Sequence, residues 1–410
     1  MTVKDALKHI YYKIGIHTAP AGTLMGSLHS AIVNLYTGAK YATVKPPIPD
    51  NTLVIAFRIT GGIGDHVIAV RYIRDLLKIC GDFEFDIFSS RPKQVEWMLS
   101  SVKRPLRCYD ESRVRPKLGH YPVVIWISTF VVLDDTPASW HGLNQANRKV
   151  TDICRRILEF RTKFHMYVEH HPHLDAAFAR AALILGMDRM NVHHAISAIP
   201  YGGHRLELQT TSGTLEKFGL HGIRYITIHT GFDPNEVKRL TPGNMATKCY
   251  RRYNEVVKIL RTRIPDLCVV QIGIASSSQR LPHVTKNLLD KTTLDEGAEI
   301  LRHSSLHIDN EGGMVHLAAC VGTKSCVVFG PTSVKFFSYA DNLNLAPPVC
   351  GDCWWSTKDW LVNCPLGDIE PRCLAERSPQ TIAETVIAEL STNHAMHAPT
   401  RRLAAANMES

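Results

Sequence analysis

Residues 52–80, TLVIAFRITGGIGDHVIAVRYIRDLLKIC, pass from a continuous apolar run through a glycine-rich turn into a segment of helical spacing. Strand, glycine turn and helix in that order form the building unit of an α/β sheet, and no other arrangement constrains this chain as strongly. Further short apolar runs, FEFDIFS and PVVIWIS, alternate with helical segments, the longest of them spanning roughly residues 145–185. The longest apolar stretch, YPVVIWISTFVVL from Tyr121, holds 13 residues and is interrupted by Ser128 and Thr129. That is well short of the roughly 20 residues a membrane-spanning helix needs, so it reads as one or two buried strands. AIPYGGHRLELQTTSG near residue 200 is polar and glycine-bearing and reads as a linker. Past it the pattern restarts with IRYITIHTG, a helix over about 249–262, LCVVQIG, a helix near 295–302, SSLHIDNEGG, a further helix and KSCVVFGPTS.

Two α/β series joined by a linker predict two Rossmann-like halves facing a cleft, and 410 residues exceed what one hydrophobic core organises. The expected divisions are an extension over 1–50, a first domain over 51–205, a second over 206–390 and a disordered tail over 391–410. The extension has Ala6, Ile10, Tyr11, Ile14 and Ile16 near helical spacing and ends in the rigid KPPIPDN. No internal repeat or low-complexity tract is visible. The opening MTVKDALKHIYYK lacks the apolar core and small-residue cleavage site of a secretory signal, so cytoplasmic residence is the expectation.

Lysine and arginine number 47 against 38 aspartates and glutamates, a net charge of +9. Such a balance suits polyanionic partners, whether nucleotides, nucleic acid or phosphorylated lipid at a membrane face; the alternative is a solvated basic surface. No basic stripe interleaved with aromatics is present, so nucleic acid is not the expected partner. Eleven cysteines are too few for a disulfide scaffold, and their clustering matters more than their number.

The strand-end turns carry the candidate chemistry. In GGIGD, Gly61, Gly62 and Gly64 leave backbone N–H groups open toward an anion at a helix start, although glycines also serve tight turns that bind nothing. Asp65 is either a helix cap or, at the carboxyl end of the first strand, a general base for a sugar hydroxyl. HTGFD presents Thr230 and Gly231 in a second such turn, and VVQIG presents Gly273 in a third, for which an ordinary loop is the alternative. TKCYRRY is expected to open a helix, with Lys248 near its N-terminus neutralising a phosphate or simply solvated.

DNEGGMVHLAACVG reads as a turn followed by a short helix with Gly322 as C-cap, on which Met314, Leu317 and Ala318 share a face. Glu311 is placed to accept the hydroxyls of a ribose, and the N–H groups of Gly312 and Gly313 can approach a pyrophosphate. His316 is either a ligand contact or a hydrogen-bonded core histidine, and Asp309 reads as a structural acid.

Beyond these turns lies CGDCWWSTKDWLVNCPLGDIEPRC. Cys350, Cys353, Cys364 and Cys373 approximate a tetrahedral thiolate site for Zn or Fe, short of paired C-x2-C knuckles. Reduced cysteines packed with Trp354, Trp355 and Trp360 are the alternative. Four thiolates leave no open position, so any metal here would be structural. The histidines of EHHPHLD, 169–175, split by proline beside acids, read as solvated surface rather than a metal site.

RITGGIGDHVIAV resembles the N-terminal signature of glycosyltransferase family 9, the ADP-heptose:lipopolysaccharide heptosyltransferases. DNEGGMVHLAACVGTKSCVVFGPTS resembles that family's C-terminal signature, and TKCYRRYNEVVKIL is similar to the segment between them, the whole spanning roughly 53–375. The resemblance implies the GT-B fold, a nucleotide-sugar held mainly by the second domain, and inversion at the anomeric centre with no cofactor needed for catalysis. It implies Asp65 as the base, Thr230 and Lys248 as phosphate contacts, and Gly312, Gly313 and His316 in the diphosphate and ribose site. The chain departs from the family where Asp, Ser or Thr, and Gly are usual, for it has Glu311, Gly312 and Gly313; Tyr250 stands where Trp is common. Either the ribose sits differently or the donor is another nucleotide-sugar.

Cysteine clusters recur at this place in relatives, and the autotransporter-modifying members bind iron, which supports a structural Zn or Fe. The expected function is transfer of heptose or a related sugar from an ADP-sugar to a saccharide or lipopolysaccharide acceptor at the inner face of the cytoplasmic membrane. Protein O-heptosylation is the alternative within enzymes, and non-catalytic binding of nucleotide or nucleic acid the alternative outside them.

Overall fold

In the computed structural model the apolar runs of the first half become a five-stranded sheet and those of the second half a six-stranded one. The described residues are 53–81, 83–134, 140–233 and 245–397. The extension expected over 1–50 and the last part of the expected tail lie outside them. The chain separates into two units at Gln209/Thr210.

In the first unit, β1 (Val54–Ile59), β2 (Glu84–Ser89), β3 (Arg107–Asp110), β4 (Val124–Ile127) and β5 (Val131–Leu133) lie in the order β3-β2-β1-β4-β5. Val54 pairs with Glu84 and Ala56 with Val124, both in parallel register, whereas β4 and β5 are antiparallel. The 13-residue apolar stretch is therefore two buried strands that turn around Ser128. All of β1 except Arg58 is buried, as expected of a central parallel strand covered on both faces. A helix over Ile63–Cys80 follows β1, and Gly81, at φ 76, ends it by returning its N–H to the Leu77 carbonyl at 3.0 Å. Chain order leaves β1 toward β2 on one side and toward β4 on the other. The crevice at their carboxyl ends is the place where open α/β sheets bind ligands.

Residues 199–212 form neither helix nor strand, as a linker should. Their first part belongs firmly to the first unit, which sets the division at 209/210 and not at the expected 205/206. Arg74 donates to the carbonyls of Gly203 at 3.0 Å and Arg205 at 2.6 Å, and buried Asp75 accepts from the Gly202 N–H at 2.8 Å and pairs with His194 at 3.1 Å.

In the second unit, β6 (Tyr225–Ile228), β7 (Cys268–Gln271), β8 (Lys286–Asn287), β9 (His307–Asn310), β10 (Ser325–Val328) and β11 (Leu343–Leu345) are ordered β11-β10-β9-β6-β7-β8, every pair parallel. Ile226, Ile228, Val269, Ile308 and Val328 pack with Val256, Val257 and Leu260 of one helix and Ile382, Val386 and Leu390 of another. The helix expected from about 249 begins at Tyr253, because the Tyr250 N–H is taken by the Asn310 side chain at 2.9 Å, leaving Lys248 in a turn ahead of the helix. The last helix, Pro379–His397, runs into the span expected to be disordered. Leu390 anchors it in the core, and the hydroxyls of Ser391 and Thr392 bond back to the carbonyls of Ile387 and Ala388. Among the described residues no helix is long and apolar enough to cross a membrane. The switch in chain order falls between β6 and β9 and places Thr230, Gly231 and Glu311 just past the carboxyl ends of these two central strands.

Candidate active site

Asp65 sits in the first turn of the 63–80 helix, where its carboxylate accepts the Gly62 N–H at 2.8 Å. Gly61, at φ +107, leads into the turn, and a Cβ there would lie 2.2 Å from the Asp65 carboxylate, so only glycine leaves room for the acid. The other carboxylate oxygen accepts Arg189 Nη2 at 2.5 Å. That guanidinium is buried and held by the carbonyls of Ser128 and Thr129, both at 3.2 Å, at the end of β4. Burial alone would raise the Asp65 carboxyl, but the charge and hydrogen bond of Arg189, the Gly62 N–H and His66 outweigh it and hold the group below its ordinary value. Beside Arg189, burial and the guanidinium charge keep His193 far below the usual histidine value, and therefore neutral. With 37% of its side chain open, Asp65 is a fixed, ionised carboxylate that a hydroxyl can reach.

Arg189 is a site residue that sequence reasoning missed. It lies 124 positions from Asp65, and the one local hint is the polar Ser128–Thr129 break that ends β4. The reading of EHHPHLD as solvated surface also needs correction. His170 and His173 are exposed, but the His171 Nδ1 lies 2.9 Å from buried Asp175, and its ring packs edge-on against Trp126 and Phe130. A buried carboxylate needs such a partner, and the turn ahead of the Asp175–Ile184 helix supplies it.

In the second unit, Lys248, Glu311 and His316 converge. Lys248 Nζ lies 3.2 Å from Glu311 Oε2, and His316 Nε2 lies 4.0 Å from Glu311 Oε1. The other ring nitrogen of His316 bonds the Tyr339 hydroxyl at 2.6 Å. Glu311 follows β9 and is separated by Gly312 from the Gly313–Val321 helix, whose first N–H groups have no partner within the helix and whose C-cap is Gly322 at φ 85. Gly312 has φ 177, an extended value any residue adopts, and a Cβ there would meet only the Asn310 carbonyl, at 3.9 Å. The backbone therefore does not dictate glycine at this position.

Thr230 is placed differently from its expected role. It is fully buried, donates its hydroxyl to the Gln279 carbonyl at 2.8 Å and accepts from Gln271 at 3.3 Å, so the hydroxyl is committed to holding a neighbouring loop. Gly231 and Gly273 crowd a residue the sequence reading passed over, His229. A Cβ on either glycine would come within 2.7 Å of that ring. His229 Nδ1 lies 3.0 Å from both oxygens of Asp309, and His307 pairs with the same acid at 3.4 Å. Burial pushes the Asp309 carboxyl up, but the two histidines outweigh it, and the acid is structural.

Cys350 packs against the core cluster that contains Cys373, and burial together with Cys350, Cys353 and Cys364 pushes the Cys373 thiol up to about 12. Burial, Cys364 and Cys350 likewise raise Cys353. A thiol cluster of this kind is the donor set a Zn or Fe ion would deprotonate on binding. Among the described residues, no three His, Cys, Asp or Glu stand in a metal-holding arrangement.

Residues 245–346 match the family model described as glycosyltransferase family 9 (heptosyltransferase), a span that contains Lys248, Gly273, Glu311, Gly312, Gly313 and His316. No curated protein sequence matches the chain. Among solved structures it is similar to E. coli ADP-heptose LPS heptosyltransferase II, at 15% identity over 83% of this chain and 100% of that one, with a TM-score of 0.44. It is similar also to the iron-containing dodecameric glycosyltransferase TibC from enterotoxigenic E. coli H10407, at 13% identity over 83% and 77% of the two chains, TM-score 0.48. A third is E. coli heptosyltransferase WaaC with ADP, at 13% identity over 84% and 100%, TM-score 0.40.

Proposed function

We propose that this chain, whose residues 245–346 match the model of glycosyltransferase family 9, transfers heptose or a related sugar from an ADP-sugar to a hydroxyl of a saccharide or lipopolysaccharide acceptor. The observation that carries this reading is the Lys248–Glu311–His316 cluster at the switch between β6 and β9, beside an open helix N-terminus. An ammonium and free N–H groups suit a diphosphate, and a carboxylate suits the paired hydroxyls of a ribose. Without donor the two charges satisfy each other. With donor, the diphosphate takes Lys248 and the ribose takes Glu311.

In the reaction, Asp65 accepts the proton of the acceptor hydroxyl as its oxygen attacks the anomeric carbon from the face opposite the nucleotide. The bond to the β-phosphate oxygen breaks with inversion, and ADP leaves carrying the electron pair. Charge that grows on the diphosphate meets Lys248 and the helix N–H groups, which stabilise the transition state more than the ground state. Arg189 keeps Asp65 ionised and aimed, at some cost in basicity. A Zn or Fe ion at Cys350, Cys353, Cys364 and Cys373 would fix that segment and take no part in the chemistry.

A thermal-shift panel over ADP-, GDP- and UDP-sugars tests the donor. At about 100 times its Kd the correct donor adds about 2.7 kcal/mol of stability, a rise of roughly 5–10 °C in Tm. Shifts with GDP- or UDP-sugars alone would overturn the ADP assignment, and no shift with any would return the chain to the non-catalytic alternative. Saccharide, lipopolysaccharide and peptide acceptors offered side by side separate the acceptor classes, and metal analysis of the purified chain decides the cysteine site.

A further inference from the structure

We propose that Trp354, in the Cys-rich segment, is a positioning residue of the donor site that holds the Lys248 ammonium in place for the leaving diphosphate; this rests on the reading that Lys248 receives that diphosphate. Lys248 Nζ lies 4.9 Å from the centroid of the Trp354 ring and 5.6 Å from that of Phe232, with Glu311 at 3.2 Å as its carboxylate partner. Only 15% of the lysine side chain is open to solvent. A long, flexible stem of this kind gains little order from one ion pair, and two aromatic faces supply the rest.

The tryptophan is itself immobilised. Its backbone N–H donates to the Pro331 carbonyl at 2.9 Å, and its ring packs edge-on against Trp360 at 4.1 Å. The same segment also grips the residue before the lysine, for the Thr247 N–H donates to the Leu361 carbonyl at 3.0 Å and the Thr247 hydroxyl to the Trp360 carbonyl at 2.7 Å. Residues 354–361 thus set both the backbone ahead of Lys248 and the position of its charge. Trp355, next in sequence, packs instead on Phe337 at 5.5 Å.

The choice of an aromatic has a physical reason. An ammonium carries three N–H donors, and Glu311 takes one of them. A ring face attracts the cation through its quadrupole without accepting a strong hydrogen bond, so donors stay free for phosphate oxygens. A second carboxylate in the same place would hold the lysine equally well but neutralise it and repel the diphosphate.

A double-mutant cycle on the full chain tests the assignment, with ADP binding by calorimetry and kcat and KM on an ADP-sugar as readouts. Trp354→Leu should weaken ADP about tenfold, and Trp354→Tyr should recover to within about threefold of wild type. Because the tryptophan acts through the lysine, Trp354→Leu should add nothing in a Lys248→Met background. The loss should fall on kcat at least as heavily as on donor KM, since the charge on the diphosphate is greatest in the transition state. Trp355→Leu, a packing control, should leave the ADP Kd unchanged. Additive losses in the cycle, an equal loss in Trp355→Leu, or no loss in Trp354→Leu would each overturn the assignment. A wild-type chain that binds no ADP would overturn the donor reading, and this assignment with it.

Discussion

The Asp65 and Glu311 turns are built from the same local plan and end in different chemistry. Each is an apolar strand, a glycine-bearing turn with an acid, and a helix. Asp65 is pinned by its own turn and by Arg189, whose guanidinium is locked to two carbonyls and cannot leave. Glu311 pairs with Lys248, whose ammonium is held between aromatic ring faces that accept no strong hydrogen bond and leave N–H donors for a ligand. A guanidinium whose donors are spent on carbonyls and one carboxylate yields a fixed, closed ion pair, whereas an ammonium seated on ring faces keeps donors for a further partner. The residue brought in from elsewhere in the chain decides which.

The difference can be broken at several points, the largest first. Asp65→Asn keeps the shape and removes the base, so kcat should fall about 10²- to 10⁴-fold with donor KM nearly unchanged. Steady-state kinetics with both substrates varied checks this, and a variant within threefold of wild type would remove Asp65 from the chemistry. At the other turn, Lys248→Met leaves Glu311 buried without its cation and should cost about 3 kcal/mol in denaturant unfolding. Adding Glu311→Gln should recover part of that loss. If the double variant proves less stable than Lys248→Met alone, the pair is not what balances the site.

Gly61→Ala forces a Cβ to within 2.2 Å of the Asp65 carboxylate at a positive φ, so it should destabilise by about 1–3 kcal/mol and lower kcat together. Full activity with intact stability would show that the turn has more freedom than its geometry allows. Acid dependence sharpens the contrast. Asp65 has a folded value below its ordinary one, so the stability its ionised form contributes is complete above the ordinary carboxylate value and is lost as pH falls through the lowered one. The acid limb of kcat/KM in the wild type should therefore lie below the ordinary carboxylate range, and Arg189→Met should move it upward. An unmoved limb would mean that the guanidinium does not set the charge on Asp65.

The smallest effect belongs to Gly312→Ser, which places a side chain in open space on extended backbone and should change stability by no more than about 0.5 kcal/mol. Its donor Kd should stay within threefold of wild type or tighten. A large loss of binding would show that the bare turn is itself part of donor recognition.

Much of this could be read from residue order. Continuous apolar runs followed by glycine turns placed the strands, and the β6 and β9 turns that carry Thr230, Gly231 and Glu311 were recognisable because strand-end turns in parallel sheets hold ligands. Arg189 was not visible, because no local pattern relates an arginine to an acid 124 positions away. The burial of His171 was hidden by its polar neighbours, and the start of the 253–263 helix depended on Asn310 capturing the Tyr250 N–H. The terminal helix escaped notice because only Ile382, Val386 and Leu390, set against the second sheet's core, reveal its apolar face.

Residue order by itself determined two α/β units and the turns at which their chemistry is found, since hydrophobic period and glycine placement act over a few residues. Tertiary structure alone decided the partners: Arg189 for Asp65, Lys248 and His316 for Glu311, Trp354 for Lys248, Gln279 for Thr230. Charges and hydrogen bonds act across a few ångströms of space, and a chain brings its distant residues that close only when its sheets have formed.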